Sequence, residues 1–483
     1  VGVGARDIRL RQGTVRAWPA APGSAVLVAR GIPYARLRGA GAGWGGGKRT
    51  FLSAEPNRKK RTFVFREAAR DRFPPPQAPA AWQGVRDGGA FGPVAPQSAR
   101  LPGAPVWDPD DPAGADFLTV NVWAPAARGT SGLPVLVWLH GGAYTFGSAA
   151  QPEFDGAVLA ASGNGMVVVT LNHRLGFEGY GLVPGAPPNR GLLDQVAALR
   201  WVRDNAAAFG GAPDNVTLAG QSSGATSVLC LMAPARGLFR RAITHSAVGP
   251  VFSHRLATRI ARRVAERTGP LAEASPAALV AATDTVAAAG SRPYNPVVHG
   301  PVLPDDPATS PDPAVDLLVC TTSHEFWLMD AFGQGRPVRT DTDLAAFARW
   351  SRLPAGLTDG YRTLMPGASA ADVYLAVHGD LLFGEYTRRL ADLHTAAGGR
   401  TYRARYDGAW HGAEIPHAFG NSPEGPGEIT AAWAAFAASG DPGWATGTVR
   451  RWQAPGRPPG PPVPEPEDTR ALWAPFAYSP ASR

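Results

Sequence analysis

The sequence predicts an α/β protein with a mostly parallel central sheet and helices on both faces. Three observations carry that prediction. Residues 134–140 and 166–171 are nearly all apolar, as strands covered on both faces should be. Runs of strand character alternate with helical ones along most of the chain. Of 483 residues, 44% are apolar and 18% charged, a globular balance with enough material for a large core.

In order, residues 8–34 alternate short apolar runs with turns and read as strands. Residues 73–93 are Pro-rich and read as irregular surface chain. Strands follow at 117–123, 134–140 and 166–171. Residues 190–209 place Leu192, Leu193, Val196, Leu199 and Val202 at helical spacing. Further strands fall at 215–219, 242–244, 316–321 and 401–406. Residues 254–290, 340–397 and 426–439 read as helices, and the Pro-rich tail 453–468 as irregular.

The formal net charge of +8 raises the question of nucleic acid. Its position answers against it. Residues 36–72 hold eleven Lys/Arg and three Asp/Glu, while the other 446 residues hold 36 of each sign. All three lysines (Lys48, Lys59, Lys60) sit in this stretch. Gly41, Gly43 and Gly46 match a dinucleotide fingerprint in form, but no strand and helix flank them. Lys48 is followed by Arg49 rather than Ser or Thr, so a P-loop fails too. Residues 36–68 therefore read as a solvated, poorly ordered and dispensable basic insertion. No dinucleotide or P-loop nucleotide site is expected in this stretch. No apolar run approaches the roughly 18 residues of a membrane span. Cys230 and Cys320 lie in apolar stretches and make no disulfide framework, which reads as a reduced, cytoplasmic chain. A leader removed before Val1 stays open.

The chemistry centres on Gly220-Gln221-Ser222-Ser223-Gly224, between an apolar strand and an apolar helix. The pattern is G-x-S-x-G, a sharp strand-to-helix turn that holds a serine hydroxyl clear of the sheet. With 58 glycines present, chance alone supplies roughly 0.3 such matches, so the context must agree. A serine nucleophile needs a base, a group to orient the base, and donors for the oxyanion. On such sheets these groups lie on loops at the carboxyl ends of strands. After strand 134–140 comes His140-Gly141-Gly142-Ala143-Tyr144, so the expected oxyanion donors are the N–H groups of Gly142, Ala143 and Ser223. After strand 316–321 comes Glu325, the expected orienting carboxylate. Asp316 begins that strand, at its wrong end, and Asp330 is a distant alternative. After strand 401–406 comes His411, the expected base, with His417 expected to pack or hydrogen-bond instead. His324 is expected to aim elsewhere, and His140 to support the oxyanion loop.

These segments resemble the type B carboxylesterases, the family of para-nitrobenzyl esterases and cholinesterases. The resemblance runs from about residue 25 to 452 apart from the insertion. It rests on Gly31-Ile32-Pro33-Tyr34-Ala35, Leu118-Thr119-Val120-Asn121-Val122 and the His140 loop. It continues through Asn172-His173-Arg174-Leu175-Gly176, Gly191-Leu192-Leu193-Asp194-Gln195, residues 209–224 and His411-Gly412-Ala413-Glu414. It implies one α/β-hydrolase catalytic domain over residues 1–483 and hydrolysis of small-molecule carboxylic esters without metal or cofactor. It gives Ser222, Glu325 and His411 the roles reached above. Three departures stand out. Ala115-Asp116-Phe117 replaces a family Glu-Asp-Cys, Phe326 replaces a usual glycine after the acid, and residues 36–68 interrupt a short connection, as an unusual loop or a disturbed reading frame. A thioesterase or amidase on the same triad, or a non-catalytic binding module on the same fold, are the other readings. Acyl preference and oligomeric state are not written in the sequence.

Overall fold

The computed structural model describes residues 4–37, 72–98, 116–288 and 294–478, apart from positions 128, 130, 308, 310, 332, 334, 457 and 459. The basic insertion expected at 36–68 lies outside the described residues except for Arg36 and Leu37.

The strands are β1 (Arg6–Arg9), β2 (Thr14–Pro19), β3 (Val26–Pro33), β4 (Val85–Asp87), β5 (Thr119–Pro125), β6 (Leu133–Leu139) and β7 (Val167–Leu171). They continue as β8 (Gly211–Gln221), β9 (Arg241–His245), β10 (Phe252–Ser253), β11 (Val297–Val298), β12 (Asp316–His324), β13 (Thr401–Trp410) and β14 (Val449–Gln453). Among the described residues, one sheet runs in the order β1-β2-β3-β5-β7-β6-β8-β9-β12-β13-β14, with β4 beside β2. Pairings from β1 through β5 to β7 are antiparallel. Those from β7 onward to β14 are parallel. The mostly parallel sheet read from the sequence is therefore present, with an antiparallel edge that apolar runs alone do not reveal.

Side chains alternate across the sheet. Val135, Val137 and Leu139 of β6 join one buried cluster with Val228 of the helix Ser223–Leu231. Leu136 and Trp138 join another on the opposite face, with Trp433 of the helix Glu428–Ser439. Trp138 touches Phe154, Phe419 and Trp433, with ring centroids 5.2–5.6 Å away. Such rings bury large apolar areas and account for much of that layer's cohesion. A third cluster lies beyond the sheet. Phe347, Tyr361, Val373 and Phe383 of residues 341–396 close on Trp473 of the helix Pro466–Trp473. That helix and β14 correct the reading of 453–468 as irregular: Gln453 ends β14, and residues 466–468 begin the helix. β4 likewise interrupts the expected irregular chain of 73–93.

The connections place the site. From β6 the chain steps to β7 on one side, then crosses back to β8 on the other. Ligands on open α/β sheets bind where the strand order reverses in this way, outside the carboxyl ends. Here those ends are Leu139 and Gln221. Beside them, Arg174 grips Asp194 through two hydrogen bonds of 2.8 and 2.6 Å, with both side chains fully buried. A bidentate pair fixes geometry more surely than it adds stability. It ties the loop after β7 to the helix Arg190–Asn205.

Candidate active site

Ser222 sits between β8 and the helix Ser223–Leu231 with φ 55° and ψ −122°. A non-glycine residue in that region is strained. Its N–H donates to His245 O at 2.8 Å, which anchors the turn to β9. The tightness is measurable at both glycines. A Cβ on Gly220 would stand 2.5 Å from the Gly224 carbonyl carbon. One on Gly224 would stand 2.7 Å from His140 O.

The loop after β6 turns sharply. Gly142, Ala143 and Tyr144 all have positive φ (115°, 51° and 62°). Gly142 O accepts the N–H groups of Thr145 and Phe146 at 2.9 and 3.1 Å. Among the described residues, the N–H groups of Gly142, Ala143 and Ser223 donate to nothing. Unused donors at a helix start and a tight turn suit an anion. Beneath the loop, His140 stacks on His173 with centroids 5.0 Å apart. Burial pushes His140 down to about 3 and His173 down to about 4, so both rings are neutral at pH 7.

Glu325 lies just past β12 and is 4% exposed. Its Oε1 accepts the Ser246 hydroxyl at 2.6 Å and the Thr322 N–H at 2.8 Å. Its Oε2 faces His411 Nδ1 at 2.6 Å. The structure thus brings Glu325, not Asp316 or Asp330, to the imidazole. Asp316 pairs with Arg400 at the far end of the strand. The His411 ring also packs 4.4 Å from the Phe383 ring, which a widened turn at Asp380–Gly384 presents. Wide turns of this kind often occur at functional sites. In that turn burial lifts the Asp380 carboxyl to about 6, while Tyr361 donates a hydrogen bond to it.

On its other side, His411 Nε2 stands 2.9 Å from the side-chain amide of Gln221. Ser222 Oγ makes no hydrogen bond among the described residues, and the group at His411 Nε2 is the side chain of Gln221, which precedes the serine in the chain. Three contacts escaped the sequence reading: Gln221 on Nε2, Ser246 on the acid, and Glu414 on His245 at 3.0 Å. Gln221 had a sequence signal in its place beside the serine, and Glu414 in its place in the His411 segment, while Ser246 had none.

The other histidines go where the sequence suggested. His324 meets Ser323 Oγ at 2.7 Å and Pro461 O at 3.0 Å. His417 lies 3.9 Å from Glu424 and packs against the Tyr406 ring. Phe326 has a visible role. Its ring stacks 3.9 Å from His378 and meets Tyr374 edge-on, joining the acid loop to the third cluster. Cys230 and Cys320 are both buried and unpaired. Among the described residues no group of His, Cys, Asp and Glu is arranged to hold a metal ion, and no helix is long and apolar enough to cross a membrane.

The comparisons with known proteins agree with this architecture. The carboxylesterase family model matches residues 67–457. Para-nitrobenzyl esterase of Bacillus subtilis (strain 168) is 32% identical over 416 residues, covering 77% of this chain and 83% of the relative. Fumonisin B1 esterase of Sphingopyxis macrogoltabida is 32% identical over 438 residues, covering 79% and 78%. Among solved structures, a carboxylesterase of Geobacillus stearothermophilus superposes with TM-score 0.74 at 29% identity over 97% of this chain and 99% of that one. The fold, the layout of the strand-end loops and these matches together make the chain a member of the carboxylesterase family, a carboxylic ester hydrolase on the α/β-hydrolase fold.

Proposed function

We propose that the chain hydrolyses small carboxylic esters through an acyl-enzyme on Ser222. His411 takes the serine proton as the hydroxyl attacks the ester carbonyl. The N–H groups of Gly142, Ala143 and Ser223 hold the oxyanion, each such donor being worth about 3 kcal/mol of barrier. Glu325 holds the imidazole with its proton on Nδ1 and balances the imidazolium that forms. The alcohol leaves with the proton from His411. Water then attacks the acyl group by the same route in reverse.

The observation that carries this reading is the 2.6 Å contact between His411 Nδ1 and Glu325 Oε2 beside a strained, nearly buried serine. Short-chain aryl or alkyl esters are the proposed substrates, with a single catalytic domain and a cytoplasmic setting. The two buried thiols are compatible with that setting. The test is labelling with a small fluorophosphonate. One equivalent should attach at Ser222, located by mass spectrometry, and Ser222→Ala should lose both the label and p-nitrophenyl acetate turnover by several orders of magnitude. Unchanged turnover in that variant would falsify the assignment.

A further inference from the structure

The proposed reaction needs the lone pair on His411 Nε2 to face Ser222. In the structure another side chain holds it. Glu325 accepts from Ser246, Thr322 and His411, as an ionised carboxylate does. The proton between Glu325 and the ring therefore sits on Nδ1. In the neutral ring Nε2 is then an acceptor only. The group 2.9 Å from it is the carboxamide of Gln221, which must turn its NH2 and not its oxygen toward the ring.

Resting on the reading above, we propose that Gln221 is a positioning residue that masks the base in the substrate-free site, and that an arriving ester must displace it before Ser222 can hand over its proton. Two donors, the Gln221 amide and the Ser222 hydroxyl, compete for one lone pair. The amide has a fitted slot. A Cβ on Gly412 would stand 3.2 Å from Gln221 Nε2, and one on Gly141 would collide with Gln221 Oε1. Both of these glycines follow a histidine in the motifs noted above, and their missing side chains make the room. Gln221 itself is 9% exposed, so the amide is held in the wall and does not reach in from solvent.

A hydrogen bond donated to the neutral ring also opposes its protonation. The ionisable groups on the elements packed around His411 are few. Glu325 faces it directly, Asp380 in the Phe383 turn is engaged by Tyr361, and Glu414 on its own loop is engaged by His245. None of them changes when residue 221 alone is substituted.

The experiment compares wild type with Gln221→Leu, which keeps the bulk and cannot donate, and Gln221→Glu, which can only accept. Two rates are read: fluorophosphonate labelling of Ser222, and kcat/KM for p-nitrophenyl acetate across pH. Gln221→Leu should label about three- to tenfold faster, the range expected for one competing neutral hydrogen bond. Its acid limb should move up by about half a pH unit. Gln221→Glu should move that limb up by a full unit or more and label more slowly at neutral pH, because a carboxylate keeps the proton on Nε2. Should Gln221→Leu fail to fold, Gln221→Asn retains the amide but falls short of Nε2, and the same gain in labelling is expected. A folded variant without the donor that labels at or below the wild-type rate, with an unmoved acid limb, overturns the proposal. A wild-type protein that takes no label at Ser222 counts instead against the function proposed above.

Discussion

His245 Nδ1 stands 3.0 Å from Glu414 Oε1, with both side chains completely buried beneath the serine turn. Trp433 Nε1 donates to the other ring nitrogen at 3.2 Å. The pairing crosses with a second one. The end of β9 sends His245 to the loop that carries His411, and sends Ser246 to the acid that holds His411. Three strand ends are laced together by these buried side chains.

Glu414→Ala should leave the His245 N–H unpaired and a cavity behind it, costing about 2–4 kcal/mol. Glu414→Gln keeps an acceptor and the volume. Because Glu414 Oε2 has no partner among the described residues, that change should cost no more than about 1 kcal/mol. Urea melts of the two variants give the comparison, and equal losses would show that neither the acceptor nor the volume, both kept by glutamine, carries the stability.

Ser246→Ala removes one of the donors on Glu325 while leaving the His411 contact in place. The expected result is a fall in kcat of about tenfold with KM nearly unchanged, the signature of a group felt mainly in the transition state. Steady-state kinetics on one ester decides it. A rise in KM alone would point to a role in binding.

Gly224→Ala should not give a stable protein. The new methyl would press on the backbone oxygens of Leu139 and His140, which cannot move without displacing β6. A loss of more than about 3 kcal/mol, or no soluble protein, is expected. Recovery of wild-type melting would mean that the strand and helix are less tightly apposed than they stand here.

Stability should decline as pH falls below about 6.5. Above that, His140 and His173 are neutral in the folded and unfolded chains alike and contribute nothing. Below it the unfolded rings take protons that the buried rings, held at about 3 and about 4, refuse. At pH 5 the penalty is roughly 2 kcal/mol for each ring. Asp380 works in the opposite direction. Its folded carboxyl is raised to about 6, so the native state gains protons first and recovers roughly 1 kcal/mol at pH 5. Asp380→Asn should therefore lose stability more steeply than wild type between pH 6 and 4, as read from denaturant midpoints at each pH.

The sequence made the centre of the sheet legible because β6, β7 and the last turns of β8 are continuous apolar runs with glycine-rich ends. Of the candidate residues, Ser222 and Glu325 follow mainly apolar strands, whereas His411 follows β13, where Arg403, Arg405 and Asp407 interrupt the run. The edge was less legible. β14 reads Val449-Arg450-Arg451-Trp452-Gln453, where the arginines are held by Glu428, Asp407 and Glu465 and not by a core, so no period betrays a strand. Gln221, Ser246 and Glu414 act through partners 79 to 190 residues away, and no local pattern encodes such a contact.

The outer helical layer encloses an interior of its own around Phe347, Tyr361 and Trp473, and it reaches the imidazole through Phe383. Different sequences filling that interior can tilt Phe383, and with it the wall beside the His411 ring, without disturbing a single strand. New ester preferences are thus within reach of substitutions far from the serine, and the scaffold can diversify its diet while its reaction centre stays fixed.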